Sequence, residues 1–122
     1  MAHILVVDDD PALNEMITEF IMLQGHTGET ALDGDAALAR LKKGSFDAMI
    51  IDRNMPPGLS GIEVITQIRA APELAKLKIL MLTSAGVTAD IEEAFNAGAD
   101  GYLLKPLDVA QFNGKLKALL ES

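Results

Sequence analysis

Several polar residues of this chain directly follow short apolar runs, and their types are suited to holding a divalent cation and a phosphate. They are Asp8, Asp9, Asp10, Asp52, Thr83, Ser84 and Lys105. Carboxylates about 4 Å apart repel one another by roughly 4 kcal/mol at an effective dielectric of about 20, so a site that gathers them favours a bound cation. Because these carboxylates have no histidine or thiolate beside them, the hard cation Mg²⁺ suits them best, and Mg²⁺ often shares its coordination with a phosphate.

The other groups of this set fit a phosphoryl group in transfer. The Lys105 ammonium can reach a phosphoryl oxygen, and Thr83 offers a hydroxyl donor. Together with Mg²⁺ they can stabilise the equatorial oxygens of an in-line transfer, where positioning and charge stabilisation supply most of the catalysis. A carboxylate can accept phosphate as an acyl phosphate, and Asp52 follows a central apolar run, so Asp52 is the predicted acceptor.

The elements that position these groups follow from an alternation of apolar, β-rich runs with segments of helical period. The predicted strands are His3–Val7, Thr27–Ala31, Ala48–Ile51, Lys78–Thr83 and Gly101–Leu104. The second is the weakest and is expected near an edge. Strict alternation of strands and helices predicts an α/β fold, with a five-stranded parallel sheet covered by helices on both faces. In such sheets ligands bind beyond the carboxyl ends of the strands, where the polar residues lie.

Capping residues mark the beginnings of the predicted helices. Asp10 caps the first helix, Asp35 caps the second, and Ser60–Glu63 has the capping-box pattern that begins the third. The last two helices are predicted over Asp90–Ala97 and Val109–Leu120. Asp10 is therefore interpreted as a structural cap and not as a ligand.

Length and composition bound the class of protein. The chain has 122 residues, 49% hydrophobic and 23% charged, which fits one compact domain over 1–122. No apolar run approaches the roughly 20 residues that span a bilayer, and no signal-peptide pattern is present, so we expect a cytoplasmic protein without a membrane partner. A net charge of −8 argues against direct nucleic-acid binding, and the lack of cysteine excludes disulfides. Methionines are interpreted as core residues, among them Met16, Met22, Met49 and Met81.

Four segments resemble the signatures of bacterial response-regulator receiver domains, with the same order and spacing over the whole chain. They are Ile4–Pro11, Asp52–Pro56, Leu82–Ala85 and Tyr102–Pro106. The resemblance implies a CheY-like receiver domain with a flavodoxin-like (βα)5 fold, a three-layer sandwich with strand order 2-1-3-4-5 that the pattern alone leaves open. Two departures are Ser84, where a smaller residue is frequent, and one extra residue in Pro57–Ser60, which affects the loop beside Asp52.

The resemblance also implies roles for the matching residues at the predicted site. Asp52 is the phosphorylated residue, and it binds Mg²⁺ directly together with Asp9 and the backbone carbonyl of Asn54. Asp8 acts on the ion largely through water. Lys105 pairs with the phosphoryl group or with Asp52 itself.

Further positions resemble those that carry the signal and limit its lifetime. Thr83 and Tyr102 resemble the switch pair of the family, in which the hydroxyl moves toward the phosphoryl group and the ring turns inward. This couples the site to the surface of the fourth helix, fifth strand and fifth helix, where partners commonly bind. A half-buried packing role for Tyr102 is the alternative. Asn54 and Ala85 tune how readily water reaches the phosphoryl group, and the small Ala85 predicts moderate to fast self-dephosphorylation.

The sequence therefore predicts a phospho-accepting receiver of a two-component or phosphorelay system, which is no enzyme beyond its own phosphorylation and dephosphorylation. A histidine kinase or histidine phosphotransfer protein is the expected phosphodonor, and a downstream protein is the expected target. Whether phosphorylation drives dimerisation, and whether the chain is a natural single-domain regulator or the excised receiver of a transcriptional regulator, stay open.

Two alternative functions remain to be weighed against this prediction. A phosphohydrolase with an aspartyl-phosphate intermediate is disfavoured, because it needs a second aspartate two residues after the nucleophile, where this chain has Asn54. A phosphorylation-independent interaction module is the other alternative, and the full set of acidic residues, together with Thr83 and Lys105, speaks against it.

Overall fold

The computed structural model describes residues 1–84 and 88–121, which form a five-stranded parallel sheet with helices on both faces. The strands are β1 (His3–Val7), β2 (Thr27–Ala31), β3 (Ala48–Asp52), β4 (Lys78–Ser84) and β5 (Gly101–Lys105). The helices are α1 (Pro11–Leu23), α2 (Gly34–Lys43), α3 (Gly61–Arg69), α4 (Thr88–Ala97) and α5 (Val109–Glu121), with a 3₁₀ turn at Pro72–Leu74. None of the helices in these ranges is long and apolar enough to cross a membrane.

The strand order is β2-β1-β3-β4-β5, which confirms the flavodoxin-like fold. Along β1, Leu5 and Val7 belong to the core that α2, α3 and α4 cover, whereas Ile4 and Val6 face the core under α1 and α5. This alternation gives three layers, with every residue of β3 buried in the middle. The polar, partly exposed β2 lies at an edge, as predicted.

Two of the predicted helix caps are confirmed by their hydrogen bonds. The Asp10 carboxylate accepts from the backbone N–H of Ala12 at 3.0 Å and from that of Leu13 at 3.4 Å. Ser60 and Glu63 form both hydrogen bonds of a capping box at the start of α3. These caps satisfy N–H groups that have no partner within the helix, so α1 and α3 begin directly beside the ends of β1 and β3.

The predicted cap of α2 is wrong by two residues. Asp33, and not Asp35, caps this helix, because its Oδ1 atom accepts a hydrogen bond of 2.7 Å from the Ala36 N–H. Asp35 lies within the first turn, where its charge complements the helix dipole. The helix begins at Gly34, where a Cβ atom would lie only 2.6 Å from a Val64 methyl group. The cap position therefore depends on the close packing of α2 against α3, which no local pattern reveals.

The interpretation of the methionines as core residues is right for two of the four and wrong for the other two. Met49 and Met81 are buried in the central strands, whereas Met16 is 36% exposed and Met22 is 60% exposed. Both exposed residues belong to α1, which buries only the stripe that faces the sheet, including Ile17. The helical spacing indicates an amphipathic helix, but it does not give the width of the buried stripe.

Candidate functional site

The carboxyl edge of the sheet brings the predicted carboxylates together. β3 continues one residue beyond its predicted end, so that Asp52 is its last residue and pairs with Leu82 of β4. Asp8 and Asp9 follow the end of β1, the neighbour of β3. Carboxylate oxygens of Asp8, Asp9 and Asp52 lie within 4.8 Å of one another.

Lys105, the last residue of the edge strand β5, also contacts this cluster. Its Nζ atom lies 3.0 Å from Asp8 Oδ2 and 3.1 Å from Asp52 Oδ1. The other oxygen of Asp8 accepts a hydrogen bond of 3.0 Å from the Asp10 N–H, and Asp8 is 1% exposed. Asp8 is therefore held through both of its carboxylate oxygens, whereas Asp52 contacts Lys105 through Oδ1.

Burial and mutual repulsion shift the pKa values of the cluster. Desolvation raises the pKa of Asp52, and the charge of Asp8 raises it further, against the opposing effect of Lys105. Desolvation and then the hydrogen bond and charge of Asp8 raise the pKa of Asp9. Desolvation lowers the pKa of Lys105, but its hydrogen bonds and charge interactions with Asp8 and Asp52 outweigh this and leave the pKa raised.

This donor set fits a magnesium ion. When ionised, the three carboxylates carry three negative charges against the single ammonium group of Lys105, which contacts Asp8 and Asp52, so two negative charges stay uncompensated in a partly buried site. The ligand atoms are hard oxygens, and Mg²⁺ is bound by a few carboxylates with waters and a phosphate rather than by an all-protein cage. A divalent cation would relieve the repulsion that raises the pKa values of Asp9 and Asp52.

Asn14 supports the site and is not among the residues predicted from the sequence. Its side-chain amide donates to the backbone oxygen of Asp8 at 2.9 Å and to that of Ala31 at 3.1 Å, so it fastens the end of β1 to the end of β2. Its Oδ1 atom is buried and has no hydrogen-bond partner among the residues that the structure describes. A polar residue among the apolar positions of α1 was the available signal.

The predicted switch residues occupy neighbouring strands. Thr83 is buried near the end of β4, and Tyr102 is half-buried on β5. The Tyr102 ring meets the Phe95 ring edge-on, with centroids 6.1 Å apart, and Lys115 Nζ lies 4.7 Å from its centroid. This is the packing that the alternative interpretation of Tyr102 expects, and its switch role stays a prediction. Ala85 lies outside the described residues.

Of the two residues after Asp52, Arg53 contacts α4 and Asn54 is exposed to solvent. Asn54 is exposed, and its side-chain oxygen accepts a hydrogen bond of 3.3 Å from Arg53 Nη1. Arg53 Nη2 lies 2.6 Å from Glu93 and 3.3 Å from Asp90, both on α4. No role for Arg53 follows from the sequence, because a single arginine in a loop carries no signal until α4 is placed beside it.

Fold and site together define an α/β domain with an acidic, lysine-bridged pocket at the carboxyl edge of its sheet, the arrangement of a phosphoryl-accepting signalling domain. A family model described as the response regulator receiver domain matches residues 4–117, and the chain belongs to this family.

Proteins similar to this chain come from chemotaxis and from transcriptional regulation. Chemotaxis protein CheY-3 of Vibrio cholerae is 39% identical over 97% of this chain and 91% of its own length. The phosphate regulon regulator PhoB of Rhizobium meliloti is 36% identical over 98% of this chain, which corresponds to 52% of that protein. The solved structure of chemotaxis response regulator CheY4 of Vibrio cholerae superposes with a TM-score of 0.92 at 34% identity, covering 98% of this chain and 99% of that one. The chain is thus a phospho-accepting receiver of the two-component type and not an enzyme of a conventional class.

Proposed function

We propose that Asp52 is the residue that accepts the phosphoryl group, from a phosphohistidine of a histidine kinase or histidine phosphotransfer protein. A carboxylate oxygen of Asp52 attacks phosphorus, and the new P–O bond forms as the P–N bond to the donor imidazole breaks. The imidazole leaves and takes up a proton, and Asp52 becomes an acyl phosphate. The observation that carries this proposal is the position of Asp52 at the carboxyl end of the central strand, within 4.8 Å of the Asp8 and Asp9 carboxylates and 3.1 Å from Lys105 Nζ.

The proposed metal site uses the carboxylates of Asp8, Asp9 and Asp52 and the backbone carbonyl of Asn54, with Asp8 acting largely through water. When bound, Mg²⁺ supplies positive charge to the phosphoryl oxygens and neutralises the cluster. The closeness of the three carboxylates and the raised pKa values of Asp9 and Asp52 support this assignment.

Lys105 and Thr83 are proposed to hold the phosphoryl oxygens. Lys105 Nζ is already 3.1 Å from Asp52, so only a short movement of this flexible side chain would bring it onto a phosphoryl group. Thr83 follows Leu82, the residue that pairs with Asp52, and is buried beside the pocket end of β4. Asn54 and Ala85 are proposed to set the rate at which water removes the phosphoryl group.

Thr83 and Tyr102 are proposed to carry the signal to a partner-binding surface on α4, β5 and α5. Phe95 is 45% exposed and Leu104 is 36% exposed on this surface, which provides apolar area for a downstream protein. A cytoplasmic location and contact with a histidine-containing phosphodonor belong to the same proposal.

Phosphorylation by acetyl phosphate tests the proposal directly. We expect the wild-type protein to take up one phosphoryl group with Mg²⁺ and none with a chelator, and Asp52→Asn to take up none. Asp10→Asn is the matched control, because it removes a neighbouring carboxylate while keeping a good helix cap, and it should behave as the wild type. Phosphorylation of Asp52→Asn at the normal rate, or wild-type phosphorylation without Mg²⁺, would overturn the assignment.

A further inference from the structure

We propose that Arg53 is a positioning residue whose guanidinium is shared between two carboxylates of α4 and the phosphoryl group on Asp52, so that Asp90 and Glu93 oppose phosphorylation until the arginine leaves them. This inference rests on the proposed function of Asp52. It assigns to Arg53 a connection between the acceptor and α4 that is separate from Thr83 and Tyr102.

The backbone of Arg53 is held in place on both sides. Its N–H donates to the Leu82 carbonyl at 2.9 Å, and its carbonyl accepts from the Gly61 N–H at 2.8 Å. A Cβ atom on Gly61 would collide with the Asp52 carbonyl and come within 3.1 Å of the Arg53 Cα, so the start of α3 is pressed against this segment. The Arg53 backbone is therefore fixed beside the acceptor, with the two Cα atoms about 3.8 Å apart as in any trans peptide, and only the long side chain is free to change partners.

The Arg53 side chain points to α4 in the structure. Nη2 lies 2.6 Å from Glu93 and 3.3 Å from Asp90, while Nη1 donates to Asn54 at 3.3 Å. Its Nε atom is buried and lacks a hydrogen-bond partner within residues 1–84 and 88–121. The guanidinium is thus close to the acceptor loop, is attached mainly through Nη2, and leaves its Nε donor without a partner within the described residues.

The contact with α4 is weak enough to exchange. The side chains of Arg53, Asp90 and Glu93 are 24%, 30% and 51% exposed, and pairs in such positions contribute little because solvent screens them. A phosphoryl group on Asp52 carries more negative charge than the carboxylate and offers a guanidinium bidentate hydrogen bonds, which are stronger. Phosphorylation therefore favours transfer of Arg53 from α4 to the phosphoryl group.

Release of Arg53 would remove charged contacts of α4, a helix that also belongs to the partner-binding surface. Asp90 and Glu93 lose their counter-charge, and two residues after Glu93 the same helix carries Phe95, whose ring meets Tyr102. A shift of α4 therefore moves an exposed aromatic residue of this surface. The two interactions are linked: the factor by which a phosphoryl group weakens the contact of Arg53 with α4 is also the factor by which that contact lowers the affinity of the pocket for a phosphoryl group.

Binding of beryllofluoride with Mg²⁺, followed by NMR titration of the full chain, tests this competition. We expect Arg53→Gln to weaken binding and Glu93→Gln to strengthen it, each by about two- to fivefold, the size that an exposed ion pair supports. The double variant should match Arg53→Gln, because Glu93 acts only through Arg53. Arg53→Lys should fall between the wild type and Arg53→Gln, since it keeps the charge but loses the bidentate hydrogen bonds of the guanidinium. Arg40→Gln is the control, because it breaks a comparable exposed pair, 2.7 Å from Glu29, away from the pocket.

A purely structural role for Arg53 predicts a different outcome. If Arg53 only braces α4, then Glu93→Gln leaves the affinity unchanged or weakens it, and either result overturns the proposal, as does a gain that persists without Arg53. The gain in Glu93→Gln should also shrink at high salt, because it is electrostatic. A wild-type protein that does not bind beryllofluoride would instead refute the proposed function of Asp52.

Discussion

Lys105 contacts both Asp8 and Asp52, and its ammonium group is the positive charge closest to the predicted acceptor among the described contacts. At the scale of single residues, Lys105 is expected to weaken metal binding but to speed phosphoryl transfer. It competes with a metal ion for the carboxylates in the resting protein, and it is expected to stabilise the phosphoryl oxygens during transfer.

We therefore predict that Lys105→Met binds Mg²⁺ about three- to tenfold more tightly but accepts phosphate from acetyl phosphate about 10²-fold more slowly, a loss typical of removing one charge-stabilising donor. NMR titration with Mg²⁺ and a phosphorylation time course measure the two effects. Lys115→Met is the control, because Lys115 lies over the Tyr102 ring and has no contact with the carboxylates. Normal phosphorylation of Lys105→Met would contradict the role of the ammonium.

The ends of helices and strands set the geometry of the pocket at the scale of elements. α1 and α3 begin beside the ends of β1 and β3 because Asp10 and Ser60 cap them there. α2 begins where Asp33 caps it and where Gly34 allows it to approach α3.

The assignment of the α2 cap can be checked with a matched pair of substitutions. Asp33→Ala should lower the free energy of unfolding by about 1 kcal/mol, because it removes the acceptor for the Ala36 N–H. Asp35→Ala should cost at most about half of this, since it loses only a favourable interaction with the helix dipole. Urea unfolding followed by circular dichroism gives both values, and equal losses would contradict the assignment.

Two glycines in helices provide a second matched pair. Gly61→Ala should lower the free energy of unfolding by about 1–3 kcal/mol and slow phosphorylation, because the new Cβ collides with the Asp52 carbonyl and displaces the acceptor segment. Gly114→Ala in α5 should stabilise the protein by up to about 1 kcal/mol, because a Cβ there meets nothing within 4 Å and alanine favours a helix. Urea unfolding and phosphorylation rates compare them, and a Gly61→Ala protein as stable as Gly114→Ala would show that the contact is not tight.

Charge acts at the scale of the whole molecule. The chain carries a net charge of −8, and three of its carboxylates lie together in one pocket. The raised pKa values of Asp9 and Asp52 mean that the folded protein holds these protons more tightly than the unfolded chain does. Their ionisation therefore destabilises the fold as the pH rises above the unfolded value of 3.8, and this destabilisation persists at neutral pH.

Asp52→Asn should consequently raise the melting temperature at pH 7 by about 2–5 °C without Mg²⁺, the shift that corresponds to about 1 kcal/mol in a domain of this size. Near pH 3 the difference should nearly vanish, because Asp52 is then largely protonated in both states. Mg²⁺ should stabilise the wild type more than the variant. Calorimetry at the two pH values measures these shifts. A variant less stable than the wild type at pH 7 would show that the ionised Asp52 carboxylate does not destabilise the fold.

The sequence by itself determined the features that depend on neighbours along the chain. Strand and helix periods, the caps at Asp10 and Ser60, and the polar residues at the strand ends are local, since periodicity and capping involve residues only a few positions apart. Because parallel strands end on the same edge of a sheet, the grouping of Asp8 and Asp52 also follows from the sequence pattern.

The tertiary structure decided what depends on contacts between distant segments. Asn14 binds the ends of two strands, Arg53 reaches α4 some forty residues later, and Met16 faces solvent because of where α1 lies on the sheet. Such pairings arise from packing, and packing is a property of the assembled layers that the local sequence does not specify.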